Sequence, residues 1–210
     1  MRSKRGLLRR SRLCVILDSA ILSERKMALV ARKALEAGAD MLQLRDKSSA
    51  FAVALRRAKA LKALAAGYGV PLIMNDRLDV AVAAGCDGLH VGRGDIDISL
   101  ARRSLKKGAI VGVSAKTVAE ARDAKKKSAD YLGMGPVFET PIKRGQKPKG
   151  TVLLKAVRRL GIPVFAIGGI DRGNAALLAR QGFKRIAVIR AVCAAKDPYG
   201  ATRRLKKVLA

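Results

Sequence analysis

A short pattern recurs along the chain, in which a helical stretch ends at glycine or serine and a brief apolar run follows. The four copies begin near residues 35, 82, 127 and 179. Glycine often follows the last turn of a helix, because it accepts the left-handed backbone conformation. The apolar runs are hydrophobic on both faces, as strands are in a buried parallel sheet. The pattern therefore predicts repeated units of strand and helix.

Counted in the same way, the whole chain offers eight such units. The predicted strands are Leu13–Leu17, Met41–Leu44, Leu72–Met74, Gly88–Val91, Ile110–Val113, Tyr131–Met134, Val164–Ile167 and Arg185–Ile189. The predicted helices include Glu24–Ala37, Ser49–Ala66, Val118–Lys127, Thr151–Leu160 and Asn174–Arg180. Eight units in 210 residues fit an α/β fold, a compact single-domain (β/α)8 TIM barrel. A doubly wound open sheet is the alternative.

No linker divides the chain, so we predict a basic N-terminal arm over 1–12 and a TIM-barrel catalytic domain over 13–210. Residues 2–12 carry six cations and are expected to form a solvated arm, with an organelle-targeting arm as the alternative. The apolar run Leu13–Leu17 stops at Asp18, which makes it too short for a signal-peptide core or a membrane span.

The cysteines indicate the compartment. Cys14, Cys86 and Cys193 are far apart and include no Cys-x-x-Cys pair. This arrangement predicts neither a disulfide framework nor a zinc site, and a reducing cytoplasm is the expected location.

The composition is strongly basic, with 44 Lys and Arg against 16 Asp and Glu and a formal charge of +28. Such a charge favours an anionic partner, whether nucleic acid, an acidic membrane or a small phosphorylated substrate. Four Phe, three Tyr and no Trp offer few rings for the base stacking of single-strand binders. On the outer helices of a barrel most of these cations would simply be solvated.

Three hydrogen-bond donors gather after the second predicted strand. Strand alternation places Gln43, Arg45 and Lys47 on one side of the chain. Arginine offers a planar fork for phosphate oxygens, and lysine a mobile point charge. We interpret the three as an anion site, with ordinary surface charge as the alternative.

Acidic residues lie at or just beyond the ends of several predicted strands, where a barrel builds its active site. They are Asp18, Asp46, Asp76 and Asp95. Asp76 and Asp95 follow adjacent strands, so both can reach one hard cation. Mg²⁺ typically takes one or two carboxylates and completes its shell with water and substrate phosphate. Either aspartate alone would be interpreted as a helix cap, whereas together they predict a metal site.

Two further polar residues have less specific interpretations. His90 is the only histidine, and near the end of a buried strand it is interpreted as a hydrogen-bonded structural residue. Ser114 follows the fifth strand and could donate to an anion, but no Ser-His-Asp set supports a role as a nucleophile.

The later loops suggest a second anion site. The stretch 133–150 is rich in Gly, Pro and cations, which suits a mobile lid over a charged ligand. Gly168 and Gly169 follow the seventh strand, and Arg190 follows the eighth. Loops at these two places form the recurrent phosphate site of TIM barrels. Two anion sites at one barrel mouth suit a metal-bound diphosphate that meets a monophosphate.

Seven short motifs along the chain are informative when they are taken together. They are Gln-Leu-Arg-Asp-Lys (43–47), Asn-Asp-Arg (75–77), His-Val-Gly-x-x-Asp (90–95), Gly-Val-Ser-Ala (112–115), Gly-Pro-Val-Phe-x-Thr (135–140), Lys143 and Ala-Ile-Gly-Gly-Ile (166–170). None is specific alone. In this order the set resembles the thiamine-phosphate synthase (thiamine-phosphate pyrophosphorylase) family, which is related to thiazole tautomerase. The family joins an aminopyrimidine methyl diphosphate to a thiazole phosphate and releases diphosphate.

The resemblance implies a role for each matching position. The pyrimidine diphosphate would contact Gln43, Leu44, Arg45, Asp46, Lys47, Asn75, Ser114 and Lys143. The cofactor Mg²⁺ would be held by Asp76 and Asp95, and the thiazole phosphate by Thr140, Pro141, Ile142, Gly169, Ile189 and Arg190. The implied catalytic residues are Arg45, Lys47, Ser114 and Lys143. They would stabilise departing diphosphate in a dissociative substitution, leaving a pyrimidine methyl cation that the thiazole nitrogen attacks.

Four positions depart from the family pattern. Ile142 stands where a hydroxyl residue is typical, and Arg190 where a small residue, commonly serine, is found. Arg93 stands in place of glutamine, and Lys116 in place of histidine. Ile142 and Arg190 affect the thiazole half of the site, whereas the diphosphate and metal half is intact.

Coupling of the two phosphorylated small molecules is therefore the expected function. A thiazole tautomerase, or a diverged paralogue that does not couple, is the first alternative, and a basic nucleic-acid-binding protein is the second. The expected partners are the phosphorylated pyrimidine and thiazole, with no specific nucleic acid and no membrane, and a homo-oligomer is left open.

Overall fold

Eight short apolar segments pair in parallel and close on themselves, in a computed structural model that describes residues 4–92, 94–141, 148 and 150–210. The strands are β1 Leu13–Asp18, β2 Met41–Arg45, β3 Leu72–Asn75, β4 Gly88–Val91, β5 Ile110–Ala115, β6 Tyr131–Met134, β7 Val164–Ile167 and β8 Ile186–Val188. They follow chain order around the barrel, and Val15 on β1 lies beside Val188 on β8. This closing pair confirms the TIM barrel and excludes the open sheet.

Helices cover the outside of the barrel. Within the described ranges they are α1 Lys4–Arg10, α2 Glu24–Glu36, α3 Phe51–Gly67, α4 Leu78–Ala83, α5 Ile98–Ser104, α6 Val118–Lys126, α7 Val152–Val157, α8 Ala175–Arg180, α9 Arg190–Cys193 and α10 Pro198–Leu209. A turn of 3₁₀ helix, Arg158–Leu160, extends α7. The helices predicted from the sequence are present, and the eight strands agree within two residues at each end. Across the part of the chain that is described, every helix is too short or too polar to span a bilayer.

Strand side chains alternate between two apolar layers. On β1, Val15 and Leu17 pack between the sheet and the helices, whereas Cys14 and Ile16 point into the barrel. The interior layer also contains Met41, Ile73, Ile110, Tyr131, Phe165 and Ala187. These interior side chains form the floor beneath the carboxyl ends of the strands.

The N-terminal segment was expected to be a solvated arm, and this expectation is wrong for residues 4–10. They form α1, and Leu8, only 2% exposed, packs into the barrel-interior layer. Burial of a leucine side chain stabilises a fold by about 1.5–3 kcal/mol. Lys4 and Arg5 also contact acidic side chains, at 3.1 Å from Asp87 and 3.0 Å from Asp130. Helix α1 therefore closes the N-terminal end of the barrel.

Three aspartates of the sequence repeat fasten this same end. Each precedes an even-numbered strand and accepts a backbone N–H from the first or second residue of the strand before it: Asp40 from Leu13 at 2.9 Å, Asp87 from Leu72 at 3.0 Å, and Asp130 from Val111 at 2.8 Å. Each is also paired with a cation of an outer helix, namely Lys206, Lys62 and Arg102 respectively. Three of the four copies of the repeat thus supply an anchored carboxylate, and the fourth copy has Lys184 at the equivalent position.

Asp87 shows how these partners change the pKa of such a carboxylate. Its burial alone would raise the pKa, but hydrogen bonds from Lys62, from the Leu72 amide and from Lys4 outweigh the burial and lower the pKa below its ordinary value. The ionised group therefore stabilises the fold above an unfolded pKa of about 3.9. This contribution is lost as the pH falls through the lower pKa of the folded state.

We expect Asp87→Asn to lower the free energy of unfolding by about 1–3 kcal/mol at neutral pH, because Lys62 and Leu72 lose a charged acceptor. The difference from wild type should narrow below about pH 4, where the wild-type carboxylate also becomes protonated. Chemical denaturation at several pH values measures both effects. The control is Asp123→Asn, on an exposed carboxylate paired with Lys127, with an expected loss below about 1 kcal/mol. Equal losses in the two variants would contradict the prediction.

Candidate active site at the carboxyl end of the barrel

A cavity of about 100 Å³ lies inside the barrel at the carboxyl ends of the strands. Its polar lining consists of side chains from inward-facing strand positions: Gln43, Arg45, Asn75, His90, Ser114 and Tyr131. Apolar residues of the interior layer, including Ile16, Met41 and Phe165, form the rest of the wall. The predicted alternation on β2 is confirmed, since Gln43 and Arg45 both face this cavity.

Two residues of the motif at 43–47 face the other way. Leu44 is buried between the sheet and the helices. Asp46 is fully buried, and its carboxylate accepts from Ser19 at 3.0 Å and pairs with Arg57 at 2.7 Å. The structure therefore does not bring these two side chains to the cavity, because alternate residues of a strand point to opposite faces. Asp46 instead ties the loop after β2 to helix α3.

Arg45 is held in place by a partner that the sequence did not reveal. Its Nη1 donates to Oδ2 of Asp18 at 2.6 Å, and Asp18 is only 2% exposed. The two residues lie side by side on β1 and β2 in the barrel register. A guanidinium has further N–H groups, so Arg45 can donate to a ligand while Asp18 fixes its orientation. In the sequence, only the position of Asp18 at the end of a predicted strand indicated that it could reach the site.

Asp76 and Asp95 meet at the rim, as the sequence predicts. Their carboxyl groups lie within hydrogen-bonding reach of each other, and Lys47 Nζ is 2.8 Å from Asp76 Oδ2. Burial, followed by the neighbouring Asp76, raises the pKa of Asp95. The backbone of Asp76 adopts a left-handed φ of 61°, and its N–H donates to the carbonyl of His90 at 2.8 Å. A strained backbone that turns one carboxylate toward another is typical of a functional site.

This pair fits magnesium better than a helix-capping role. The side chain that caps α5 belongs to Asp97, which accepts from Ser99 at 2.8 Å, and α4 begins after Arg77 without a side-chain cap. Among the described residues no group of three or more His, Cys, Asp or Glu side chains could hold a metal. Two carboxylates suffice for Mg²⁺, which keeps water and substrate phosphate in its remaining positions.

A second cavity, of about 380 Å³, opens between the loops that follow β6, β7 and β8. The described residues predicted to hold the thiazole phosphate all line it: Thr140, Pro141, Gly169, Ile189 and Arg190. Its wall shares Ile167, Ala187 and Ile189 with the inner cavity. The two cavities are therefore neighbours at one barrel mouth, as two ligands that react with each other require.

Arg190 lies at the rim of the larger cavity, in the first turn of α9. Its side chain is exposed, and among the described residues its guanidinium group makes no hydrogen bond or ion pair. The cavity keeps its volume with this arginine in its wall, so Arg190 does not fill it. An unpaired cation at this place is available to a phosphate group.

Glycine is required where the β7 loop approaches the β6 loop. A Cβ atom on Gly169 would lie 2.2 Å from the backbone oxygen of Glu139, and Gly169 has a φ of 64°. The loops are joined by the amide of Phe138, which donates to the carbonyl of Gly168 at 3.0 Å. Asn174 Nδ2 donates to the carbonyl of Gly169 at 2.7 Å. The larger cavity thus depends on a close backbone contact.

Three predicted positions lie outside the described residues. They are Ile142 and Lys143, from the predicted lid, and Arg93, from the loop after β4. Their roles stay predictions.

A chain of hydrogen-bonded polar side chains, called the polar chain below, crosses the inner cavity. The sequence did not predict it. The hydroxyl group of Tyr131 lies 3.0 Å from Nδ1 of His90, and Nε2 of His90 lies 2.9 Å from Oγ of Ser114. His90 is hydrogen-bonded, as predicted, but it also lines the cavity and contacts a predicted catalytic residue. The inward-facing position of His90 on β4 was the signal that could have found it.

The fold and these two adjoining cavities define a protein of the TIM-barrel class with a candidate active site at the carboxyl ends of its strands. The sequence pattern described as thiamine monophosphate synthase matches residues 13–192. Relatives named thiamine-phosphate synthase include one from Chloroflexus aurantiacus, 41% identical over 94% of this chain and 92% of the relative, and one from Methanocella arvoryzae, 44% identical over 86% of each. The chain belongs to the thiamine monophosphate synthase family.

Solved structures agree with this assignment. The thiamine phosphate pyrophosphorylase from Pyrococcus furiosus superposes with a TM-score of 0.87 at 37% identity, covering 98% of this chain and 96% of that one. A 3-hexulose-6-phosphate synthase superposes with a TM-score of 0.71 at 18% identity, covering 95% of this chain and all of that one. The second likeness shows the barrel fold alone.

We expect Gly169→Ala to lower the free energy of unfolding by about 1–3 kcal/mol more than Gly161→Ala, because overpacking adds to backbone strain. Gly161 is the matched control, since its φ of 67° is similar and a Cβ atom there meets open space. Denaturant midpoints of both variants measure the difference. Equal destabilisation would show that the contact with Glu139 places no constraint on the loop.

Proposed function

We propose that this chain couples 4-amino-2-methyl-5-(diphosphooxymethyl)pyrimidine with thiazole phosphate, yielding thiamine phosphate and diphosphate. It is a transferase of thiamine biosynthesis, as its family membership establishes. The observation that carries the proposed reaction is the adjacency of two cavities, one beside a carboxylate pair and cations and the other lined by Arg190, which has no partner among the described residues. A tautomerase that acts on the thiazole alone would not need the carboxylate pair and the cations beside the inner cavity.

The inner cavity is suited to the pyrimidine diphosphate. Arg45 and Lys47 supply positive charge, and Asn75, Ser114 and Gln43 supply neutral hydrogen-bond partners around an apolar floor. Leu44 and Asp46 belong to the same segment, but only their backbone groups face the ligand in this assignment, since their side chains point away. We assign Lys143 to the same ligand by its motif alone.

Asp76 and Asp95 are the residues that would hold Mg²⁺. When bound, the ion supplies positive charge that neutralises the diphosphate as it leaves. Lys47 balances Asp76 in the structure, and a cation between the two carboxylates would free this lysine to turn toward a diphosphate oxygen. The same cation would relieve the repulsion that contributes to the raised pKa of Asp95.

The larger cavity is suited to the thiazole phosphate. Gly169 lines it with backbone only, so a phosphate group can approach closely, and Arg190 can pair with that phosphate through its guanidinium. Thr140, Pro141 and Ile189 form the facing walls, and Ile142 would extend them beyond the described residues. A ligand held here would point its ring toward the wall shared with the inner cavity.

The reaction needs charge stabilisation rather than a base. The bond between the pyrimidine methylene carbon and the diphosphate oxygen breaks, and its electron pair stays on the diphosphate. Arg45, Lys47, Ser114 and Lys143 would stabilise the charge that develops there. The thiazole nitrogen then donates its lone pair to the methylene carbon and forms the new C–N bond. Apolar walls, including Phe165 and Ile167, exclude water that would otherwise capture the cation.

The buried thiols support a reducing compartment for this chemistry. Cys14, Cys86 and Cys193 are all free and buried, and burial raises the pKa of Cys86 and of Cys193 to about 12. None of the three forms a disulfide, as is usual in proteins of a reducing compartment. We therefore keep the cytoplasm as the proposed location.

The decisive assay supplies purified protein with both phosphorylated substrates, with and without Mg²⁺, and measures thiamine phosphate and diphosphate. We expect Mg²⁺-dependent product from wild type and at least about a 100-fold loss of rate in Asp76→Asn and Asp95→Asn, because each removes a charge that positions the ion. Asp97→Asn is the matched control, since Asp97 caps α5 in the same loop. Wild-type rates in both site variants would refute the metal assignment, and absence of product from folded wild type would refute the coupling reaction.

Arg190 tests the thiazole half separately. We expect Arg190→Ala to raise the KM for thiazole phosphate by about 10-fold or more, because a charged hydrogen bond contributes about 1.5–3 kcal/mol. The KM for the pyrimidine diphosphate should stay unchanged. The control is Arg180→Ala, on an exposed arginine of α8. An equal change in both KM values, or none, would contradict the assignment of Arg190 to the thiazole phosphate.

A further inference from the structure

The polar chain across the inner cavity has a direction. Gln43 Nε2 approaches the Tyr131 hydroxyl at 3.5 Å, the hydroxyl lies 3.0 Å from His90 Nδ1, and His90 Nε2 lies 2.9 Å from Ser114 Oγ. Gln43, Tyr131 and His90 are buried, and Ser114 is half-buried at the cavity wall. The chain therefore runs from the closed interior of the barrel to the proposed diphosphate site.

The direction follows from the buried hydroxyl of Tyr131. The Gln43 amide donates toward the phenol oxygen, so the phenol hydrogen must donate elsewhere, and Nδ1 of His90 is the near acceptor. If Nδ1 carried the hydrogen instead, two donors would face the phenol oxygen and the phenol hydrogen would be left buried, which is unfavourable. Burial also raises the pKa of Tyr131 well above its ordinary value, so the phenol keeps its proton.

A neutral imidazole that accepts at Nδ1 carries its hydrogen on Nε2. Nε2 then donates to Ser114 Oγ, and the serine hydrogen is free to turn into the cavity. In the opposite tautomer Ser114 would donate to Nε2 and present only lone pairs to the cavity, which would repel a diphosphate oxygen. The hydrogen on one ring nitrogen thus decides whether Ser114 can donate to a ligand.

We propose that Tyr131 and His90 are positioning residues that hold the Ser114 hydroxyl as a hydrogen-bond donor toward the leaving diphosphate. The proposal rests on the function proposed above for the inner cavity. A donor that is already oriented stabilises the charge of the leaving group without reorganisation during the reaction. A chain of hydrogen bonds that point the same way also strengthens its last member.

Two glycines on neighbouring strands make room for the rings of the polar chain. A Cβ atom on Gly112 of β5 would lie 2.1 Å from Cζ of Tyr131, and one on Gly133 of β6 would lie 3.1 Å from Cε1 of His90. The Tyr131 ring also packs edge-on against Phe165, with centroids 5.5 Å apart. The two glycines leave room for the rings, and Phe165 fixes the plane of the phenol. Both polar rings are therefore held in one orientation before any ligand binds.

The tautomer can be measured without turnover, because His90 is the only histidine of the chain. Protein labelled with ¹⁵N-histidine gives one imidazole signal set, whose shifts and one-bond hydrogen couplings identify the protonated nitrogen. In substrate-free wild type we expect hydrogen on Nε2 and none on Nδ1. In Tyr131→Phe we expect the population to move toward hydrogen on Nδ1, since the donor to that atom is gone. Wild type with hydrogen on Nδ1, or on both nitrogens, would overturn the proposal.

Kinetics then test whether the chain acts through Ser114. We expect Tyr131→Phe to lower kcat about 10-fold, less than the roughly 100-fold or greater loss when such a donor is removed outright, because the Ser114 hydroxyl remains but is no longer oriented. The KM for the pyrimidine diphosphate should change less than about 3-fold. In a Ser114→Ala background the same substitution should have no further effect on kcat, because the chain no longer has an endpoint. Multiplicative losses would show that Tyr131 acts independently of Ser114 and would overturn the proposal.

A conservative pair of variants separates hydrogen bonding from packing. His90→Gln keeps an N–H group near the position of Nε2, whereas His90→Leu keeps only apolar bulk, so we expect Gln to retain a higher kcat than Leu. Equal kcat values would count against the role of His90. Tyr68→Phe, on an exposed tyrosine after α3, is the control for Tyr131→Phe. If wild type couples no substrates, the proposed function fails, while the ¹⁵N spectrum still decides the direction of the chain.

Discussion

Closure of the parallel sheet, where β1 pairs with β8, is the constraint on which the rest of the molecule depends. It brings the carboxyl ends of all the strands to one rim and fixes which side chains face inward. On β2 this separates Gln43 and Arg45, inside, from Leu44, outside, and Asp46 just after the strand also points outward. The active-site rim is therefore polar by position, above a floor of apolar side chains one layer deeper.

The same geometry explains how a chain with so few acids uses them. Asp18 orients Arg45, Asp46 ties a loop to α3, and Asp76 and Asp95 form the carboxylate pair. At the opposite end the aspartates of the repeat bind strand amides and helix cations, as Asp87 does. Because these acids are few, the chain keeps a net charge of +28, which can steer anionic ligands at low salt.

The sequence predicts the barrel well because each strand is a self-contained apolar run between helix ends. It does not predict α1, whose fold depends on one leucine, Leu8, reaching a layer built from distant strands. Helix α9 has only four residues, too few for a periodic pattern to emerge. Within the site, pairs at successive strand ends are predictable, as for Asp76 and Asp95. The chain through His90 is not, since its members lie on separate strands and only the three-dimensional register joins them.

Helix α1 is fastened by shared rather than exclusive ion pairs. Asp87 has partners in both Lys4 of α1 and Lys62 of α3, and Asp130 is likewise paired with both Arg5 and Arg102. Release of α1 would therefore expose Leu8 but leave neither carboxylate without a cation. Helix α1 can therefore detach from the barrel as a local unit of low stability. The opposite rim, where the substrates would meet, keeps its shape.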